Sequence, residues 1–275
     1  MTAKPRLGQN FLHDAGAIQR IVSALGDVAG RTVVEIGPGK GAITRVLARR
    51  AGRVIAVELD RELAEGLRPE LPAERATVVN ADVLDFNLEA ACVEAGEALV
   101  VVGNLPYYVT SPILLKLAAS HASLSHAVLM VQREVADRVA AGPGTRDYGL
   151  LSVTAQLHGP VDKLFTLPPG AFSPPPKVHS TVIRWRFAPR FAELGVDEAE
   201  FAGFLRRAFA QKRKTLANNL RTAGILPGAV TSAMMQAGID ARSRAEAVNV
   251  ESLAALWRSL QSKGAAPHDE AAPIS

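Results

Sequence analysis

The stretch around residues 32–51 constrains the fold of this chain more than any other. Thr32-Val-Val-Glu-Ile36 is a short β-branched run that stops at Gly37-Pro38-Gly39-Lys40-Gly41. Beyond it Ile43, Val46 and Leu47 fall at helical spacing among Arg45, Arg49 and Arg50. Glycine lets the backbone turn sharply and approach a ligand closely, so strand, glycine turn and helix together define a nucleotide-type crevice at the carboxyl end of a strand.

The rhythm continues beyond this unit. Residues 53–58, 76–80, 99–103 and 126–131 read as further strands. Between them Asp60 is an N-cap for a helix over 61–67, and Ser111 caps a helix over 112–119 with Pro112 at its first position. Strands alternating with helices imply an α/β fold with a doubly wound parallel sheet. Later the pattern changes. Residues 151–157 and 178–187 read as strands without a crossover helix, which predicts an antiparallel pair at the sheet edge. The connector 167–177 holds five prolines and cannot be an α-helix. Around Pro189 the composition shifts, and from Asp197 only helical spacing remains, in Phe201, Phe204, Leu205 and Phe209 and then over 248–260. The expected division is a sheet domain over 1–188, a small all-helical domain over 189–262 and a disordered polar tail over 263–275.

Composition narrows the classes. With 48% apolar residues in 275, a full core can form without covalent staples. The one cysteine, Cys92, excludes a disulfide framework and a thiolate metal cluster. Set among apolar neighbours, it reads as a buried, unreactive thiol. The first ten residues have no apolar core of signal-peptide length, and no run is long enough to span a bilayer. The expectation is a cytoplasmic protein with no membrane, and a monomer, since nothing calls for an obligate oligomer. The net charge is only +4, but Arg206, Arg207, Lys212, Arg213, Lys214 and Arg221 follow one another with no acid between them. Such a stretch is either a solvated helix face or a footprint for a phosphate backbone.

The glycine loop alone leaves two chemistries open. Gly37, Gly39 and Ala42 fit the dinucleotide fingerprint, with Glu58 at a distance suited to a ribose. Three features favour S-adenosylmethionine instead. Glu35 stands two residues before the first glycine. Asp82 follows the third strand, where an acid can accept from an adenine amino group. Gly103-Asn104-Leu105-Pro106-Tyr107 ends the fourth strand, where the crevice opens. An aromatic amine is a poor nucleophile because its lone pair is conjugated with the ring. Two fixed acceptors, the Asn104 side-chain oxygen and the Leu105 carbonyl held by Pro106, would bind its two N–H groups and aim the lone pair at a methyl group. Neither a metal nor a covalent intermediate is required. Tyr107 would stack on the base, and Phe172, at the head of a proline-stiffened loop, is either a second stacking partner or a core plug.

These motifs, taken in order, resemble the KsgA/RsmA ribosomal RNA adenine dimethyltransferases over nearly the whole chain. They are Leu7-Gly-Gln-Asn-Phe-Leu12, Glu35-Ile-Gly-Pro-Gly-Lys-Gly-Ala-Ile-Thr44, Val57-Glu58, Asn80-Ala-Asp82, Gly103-Asn-Leu-Pro-Tyr-Tyr108, Phe172-Ser-Pro-Pro-Pro-Lys-Val178 and Arg213-Lys-Thr-Leu216. The resemblance implies a Rossmann-like methyltransferase sheet. It implies that Gln9, Asn10 and Leu12 close over the cofactor, that Gly37 meets its methionine part, Glu58 its ribose and Asp82 its adenine, with Gly39, Leu59 and Val83 completing the set. Asn104 would orient the target amine. The reaction implied is dimethylation of two adjacent adenosines near the 3′ end of 16S ribosomal RNA, in an assembling 30S subunit docked by the basic helical domain. The sequence departs from the family pattern at Tyr108, often Asn, and at His179, often Asp. The rival readings are a macrolide-resistance enzyme acting on 23S ribosomal RNA, a DNA adenine methyltransferase, a dehydrogenase, which lacks a histidine in catalytic context, and a non-catalytic assembly factor, which would not need an intact cofactor site.

Overall fold

The computed structural model describes residues 10–262. Gln9 and the tail over 263–275 lie outside the described residues. Nine strands are found among the described residues: β1 (Phe11–Leu12), β2 (Thr32–Ile36), β3 (Arg53–Glu58), β4 (Ala76–Asn80), β5 (Leu99–Asn104), β6 (Leu124–Gln132), β7 (Val161–Leu167), β8 (Phe172–Ser173) and β9 (Ser180–Arg186). Seven of them form one sheet in the order β4-β3-β2-β5-β6-β9-β7. The strands from β2 to β6 run parallel, and β9 and β7 join as an antiparallel edge. The separate pair β1-β8 is antiparallel, with Leu12 opposite Phe172.

Parallel strands need long crossovers, and the helices over 44–50, 61–67, 88–95 and 110–119 supply them. Those helices cover both faces of the sheet, so its central strands read as unbroken apolar runs: all five residues of β2 are buried. Asp60 caps its helix as expected, its carboxylate accepting from the Glu62 and Leu63 amides. Cys92, on the helix Leu88–Ala95, is half-buried and its thiol reaches the Glu97 carbonyl.

Contacts divide the described chain into two units. One is residues 10–136 with 160–187, and the other is 137–159 with 188–262. The second is entirely helical and has its own core, in which Phe201, Phe204 and Trp257 stack with ring centroids 5.8 and 5.1 Å apart. Such aromatic pairs add about 0.5–1.5 kcal/mol each beyond their buried area. Two readings of the sequence change here. Residues 150–158 form a helix (Leu150–His158), not an edge strand, and they belong with the helical unit, not with the sheet. A short apolar run does not distinguish a buried strand from a buried helix. Here Val153 and Leu157, one helical turn apart, enter the helical core, and the Tyr148 hydroxyl donates to the Val248 carbonyl. The actual partner of β9 is β7, whose alternation is obscured by a register shift between Lys163 and Phe165. The third difference is small. The helix at 110 begins at Thr110, so Pro112 falls inside its first turn, where a missing N–H costs nothing, and Ser111 is not its cap.

Gly103 shows how tightly the central strands approach. A Cβ built there would lie 2.9 Å from the Ile36 carbonyl oxygen and 3.0 Å from Ile36 Cβ. Gly103→Ala is expected to lower stability by about 1–3 kcal/mol through overpacking, read as the shift of the urea midpoint. An unchanged midpoint would show slack between β2 and β5.

Candidate functional site

Strand order reverses between β2 and β5, and in an open parallel sheet that reversal leaves a crevice outside the carboxyl ends of the strands. A cavity opens there, lined by the ends of β2, β3, β4 and β5 and roofed by residues 10–12. The register explains the convergence. Ile36 lies beside Val57 on one flank and Gly103 on the other, so the residues just past each strand end at one level.

Glu58 organises the floor. Its Oε2 accepts from the Gly39 amide and its Oε1 from the Asp60 amide, both at 2.9 Å. One buried carboxylate thus ties the glycine loop to the start of the next helix. A carboxylate has about four lone-pair sites, so acceptor capacity remains for a ligand hydroxyl. Gly39 sits at φ +54 and a Cβ there would meet the Phe11 ring at 3.0 Å. The loop therefore needs glycine both for its conformation and for the approach of the roof. Lys40 closes the same corner, its ammonium 4.8 Å from the Phe11 ring centroid. Asp82 is half-buried, with Oδ1 accepting from Leu84 N at 2.8 Å.

Glu35 stands differently. It is 2% exposed, and its Oε2 has no hydrogen-bond partner. Thr44, also buried, is its polar neighbour. Burial, reinforced by the Glu58 charge and opposed by Thr44, pushes the Glu35 carboxyl up to about 7.

At the mouth, the Asn104 amide nitrogen donates to the Asn10 carbonyl at 2.9 Å. A carbonyl accepts only from the nitrogen end, so the Asn104 Oδ1 is left as the free acceptor. The neighbouring carbonyls are allotted just as clearly. Pro106 O accepts from Val109 N and from the Thr110 hydroxyl, whereas among the described residues no donor reaches Leu105 O. Among the described residues, then, two acceptors without a donor, Asn104 Oδ1 and Leu105 O, belong to adjacent residues that line the cavity.

Of the residues singled out from sequence, Asn10, Leu12, Gly37, Gly39, Glu58, Leu59, Asp82, Val83, Asn104, Leu105 and Pro106 all line this cavity. Two aromatic residues do not. Phe172 is 3% exposed, pairs with Leu12 and packs in the core of the sheet unit, which is the core-plug alternative. Tyr107 is half-buried, with its hydroxyl 3.2 Å from Ser180 Oγ, and the aromatic that reaches the cavity is Tyr108, 64% exposed. Sequence reasoning assigned no role to Phe11, Lys40 or Tyr108. The first two could have been read from an aromatic and a cation flanking a ligand loop. The six basic residues lie in the helical unit, away from these elements in the chain. Arg206, Lys212, Arg213, Lys214 and Arg221 are exposed and Arg207 is half-buried.

A doubly wound sheet with a glycine loop, an acid ending the next strand and a wall of Asn104, Leu105 and Pro106 is the architecture of a Rossmann-like methyltransferase. Residues 1–262 match the family model described as ribosomal RNA adenine dimethylase. The chain is 62% identical over 261 residues to the ribosomal RNA small subunit methyltransferase A of Acidobacterium capsulatum, spanning 94% of this chain and 92% of that one. Among solved structures it resembles a dimethyladenosine transferase from Plasmodium falciparum, with TM-score 0.75 and 23% identity over 93% of this chain and 98% of that one. It also resembles the 23S rRNA methyltransferase ErmE, with TM-score 0.70 and 26% identity over 92% of this chain and 100% of that one. The chain belongs to the ribosomal RNA adenine dimethylase family.

If Glu58 holds the loop as described, Glu58→Gln leaves one amide with a poor partner. The expected result is faster hydrogen exchange at Gly39 and Asp60, with about 1–3 kcal/mol lost from the charge-assisted bonds. Unchanged exchange at both amides would show that the loop holds itself.

Proposed function

We propose that this chain transfers methyl groups from S-adenosylmethionine to N6 of two adjacent adenosines near the 3′ end of 16S ribosomal RNA. It does so in an assembling 30S subunit, as a cytoplasmic monomer without a metal. Among the described residues no helix is long and apolar enough to cross a membrane, in keeping with that setting. The observation that carries the reading is the acceptor pair of Asn104 Oδ1 and Leu105 O on adjacent cavity-lining residues, because two acceptors suit a group with two N–H bonds. Holding those bonds turns the amine lone pair toward the cavity, by positioning and fixed dipoles alone.

The residues present suit the cofactor. Gly39 lets the Phe11 roof close on the loop, Glu58 and Asp82 supply acceptors for ribose and adenine, and Leu59 and Val83 supply apolar surface for the ring. When bound, the cofactor supplies an electrophilic methyl group, and the chain's own residues orient the nucleophile and keep water out. Tyr108, at the rim, is placed to stack on an extruded base. Residues 189–262, with Arg206, Arg207, Lys212, Arg213, Lys214 and Arg221, serve to dock the particle.

A 23S target of the macrolide-resistance kind is compatible with the same fold. Identity of 62% to a small-subunit enzyme favours the 16S target. The test is methyl incorporation from labelled cofactor into undermethylated small subunits, mature small subunits, large subunits and naked RNA, followed by nucleoside analysis. Dimethyladenosine on the undermethylated small subunits alone is expected, and label on the large subunit would overturn the target. Asn104→Ala is expected to retain cofactor affinity and lose about 10²–10³-fold in turnover. Retained turnover would remove Asn104 from the chemistry. Neutralising Lys212, Arg213 and Lys214 together is expected to lower the salt slope of particle binding by about two to three. An unchanged slope would make that stretch a solvated face.

A further inference from the structure

Glu35 lines the cavity without a task in the chemistry above. Its neighbours make the puzzle sharper. The helix Thr44–Arg50 contributes the Thr44 hydroxyl, which favours the ionised form but is outweighed by burial, and β5 contributes no ionisable residue at all. The other ionisable groups of the cavity are Lys40 on the glycine loop, Glu58 at the end of β3, Asp82 past β4 and Tyr108 past β5. Glu58 has two amide donors to carry its charge, whereas Glu35 Oε2 has none. An ionised carboxylate buried without a donor is strongly disfavoured, and the nearby Glu58 charge adds to the cost. The proton is therefore the partner that Glu35 has in the protein alone. A cation placed in the same cavity would be a better one.

Resting on the cofactor reading above, we propose that Glu35 is a proton-linked receptor for the positive charge of S-adenosylmethionine: it holds a proton in the cofactor-free protein and releases it to solvent as the cation enters. Uptake of the cofactor and loss of one proton are then a single linked event. The demethylated product carries one positive charge fewer, so its hold on the ionised carboxylate is weaker. The same residue thereby favours the charged cofactor over its spent form.

The test is calorimetric titration of the full chain with S-adenosylmethionine in buffers of different ionisation enthalpy. With the carboxyl near 7, affinity is expected to be about eightfold weaker at pH 6 than at pH 7.5, because only the ionised fraction is competent. About half a proton should be released per cofactor bound at pH 7. Glu35→Gln should abolish both effects. Affinity independent of pH, with no buffer-dependent heat, would overturn the proposal. No binding at any pH would instead overturn the cofactor reading, and a second measurement on the protein alone still decides the state of Glu35. A carboxyl raised from 4.5 to about 7 on folding contributes stability that is complete below pH 4.5 and lost as pH rises to about 7. Wild-type melting temperature should therefore fall relative to Glu35→Gln across that window, and a constant gap would show that Glu35 is ionised throughout.

Discussion

The parallel pairing of β2 with β3 on one side and β5 on the other is the constraint from which the rest of the site follows. Once Ile36 is in register with Val57 and Gly103, Glu35, Glu58 and Asn104 are brought to one end of the sheet, although they are separated by up to 69 positions in the chain. The pairing requires Gly103, because any side chain there would press on the backbone of β2. It also requires strands buried on both faces, which is why the apolar runs here do not alternate. A crevice then exists at the point where strand order reverses, whatever residues line it. The glycine loop and the wall of Asn104, Leu105 and Pro106 turn that crevice into a particular site.

Placing two carboxyl groups at one sheet end poses an electrostatic problem, and the structure meets it in two ways. Glu58 is given fixed amide donors, so its charge holds the loop together. Glu35 is given none, and desolvation moves its titration to the neutral range. The asymmetry between two acids of the same type, decided by where backbone N–H groups point, is how one cavity can hold both an acid bound by amides and one left without them.

Most of this cavity was legible in sequence because it is local. Strands at 32–36, 53–58 and 76–80 end where turn residues begin, and Glu35, Glu58 and Asp82, at or just past those ends, line the cavity. What sequence could not supply was long-range. Tyr107 and Tyr108 are adjacent, and only the hydroxyl contact of Tyr107 with Ser180 decides which of them faces the cavity. Phe172 was equally fit for stacking or for the core, and its pairing with Leu12 settled the matter. The run at 151–157 misled for the same reason, since its partners in the helical core lie far away in the chain.

The Asn10–Asn104 hydrogen bond joins two functions that are distant in sequence. Residues 10–12 roof the cavity, with Phe11 lying on the glycine loop, and the same segment takes the Asn104 amide nitrogen. Without that carbonyl the Asn104 amide could present either end to a substrate, and the nitrogen end would repel an amine. Roofing the cavity and orienting the acceptor are therefore one structural event. The acceptor pair also bears on the second methylation. After the first transfer the amine keeps a single N–H, so one of Asn104 Oδ1 and Leu105 O must do the work of two. Pro106 fixes Leu105 O, whereas the Asn104 side chain is restrained chiefly by Asn10. On the proposed reading, the second transfer is the step that depends most on the roof being in place.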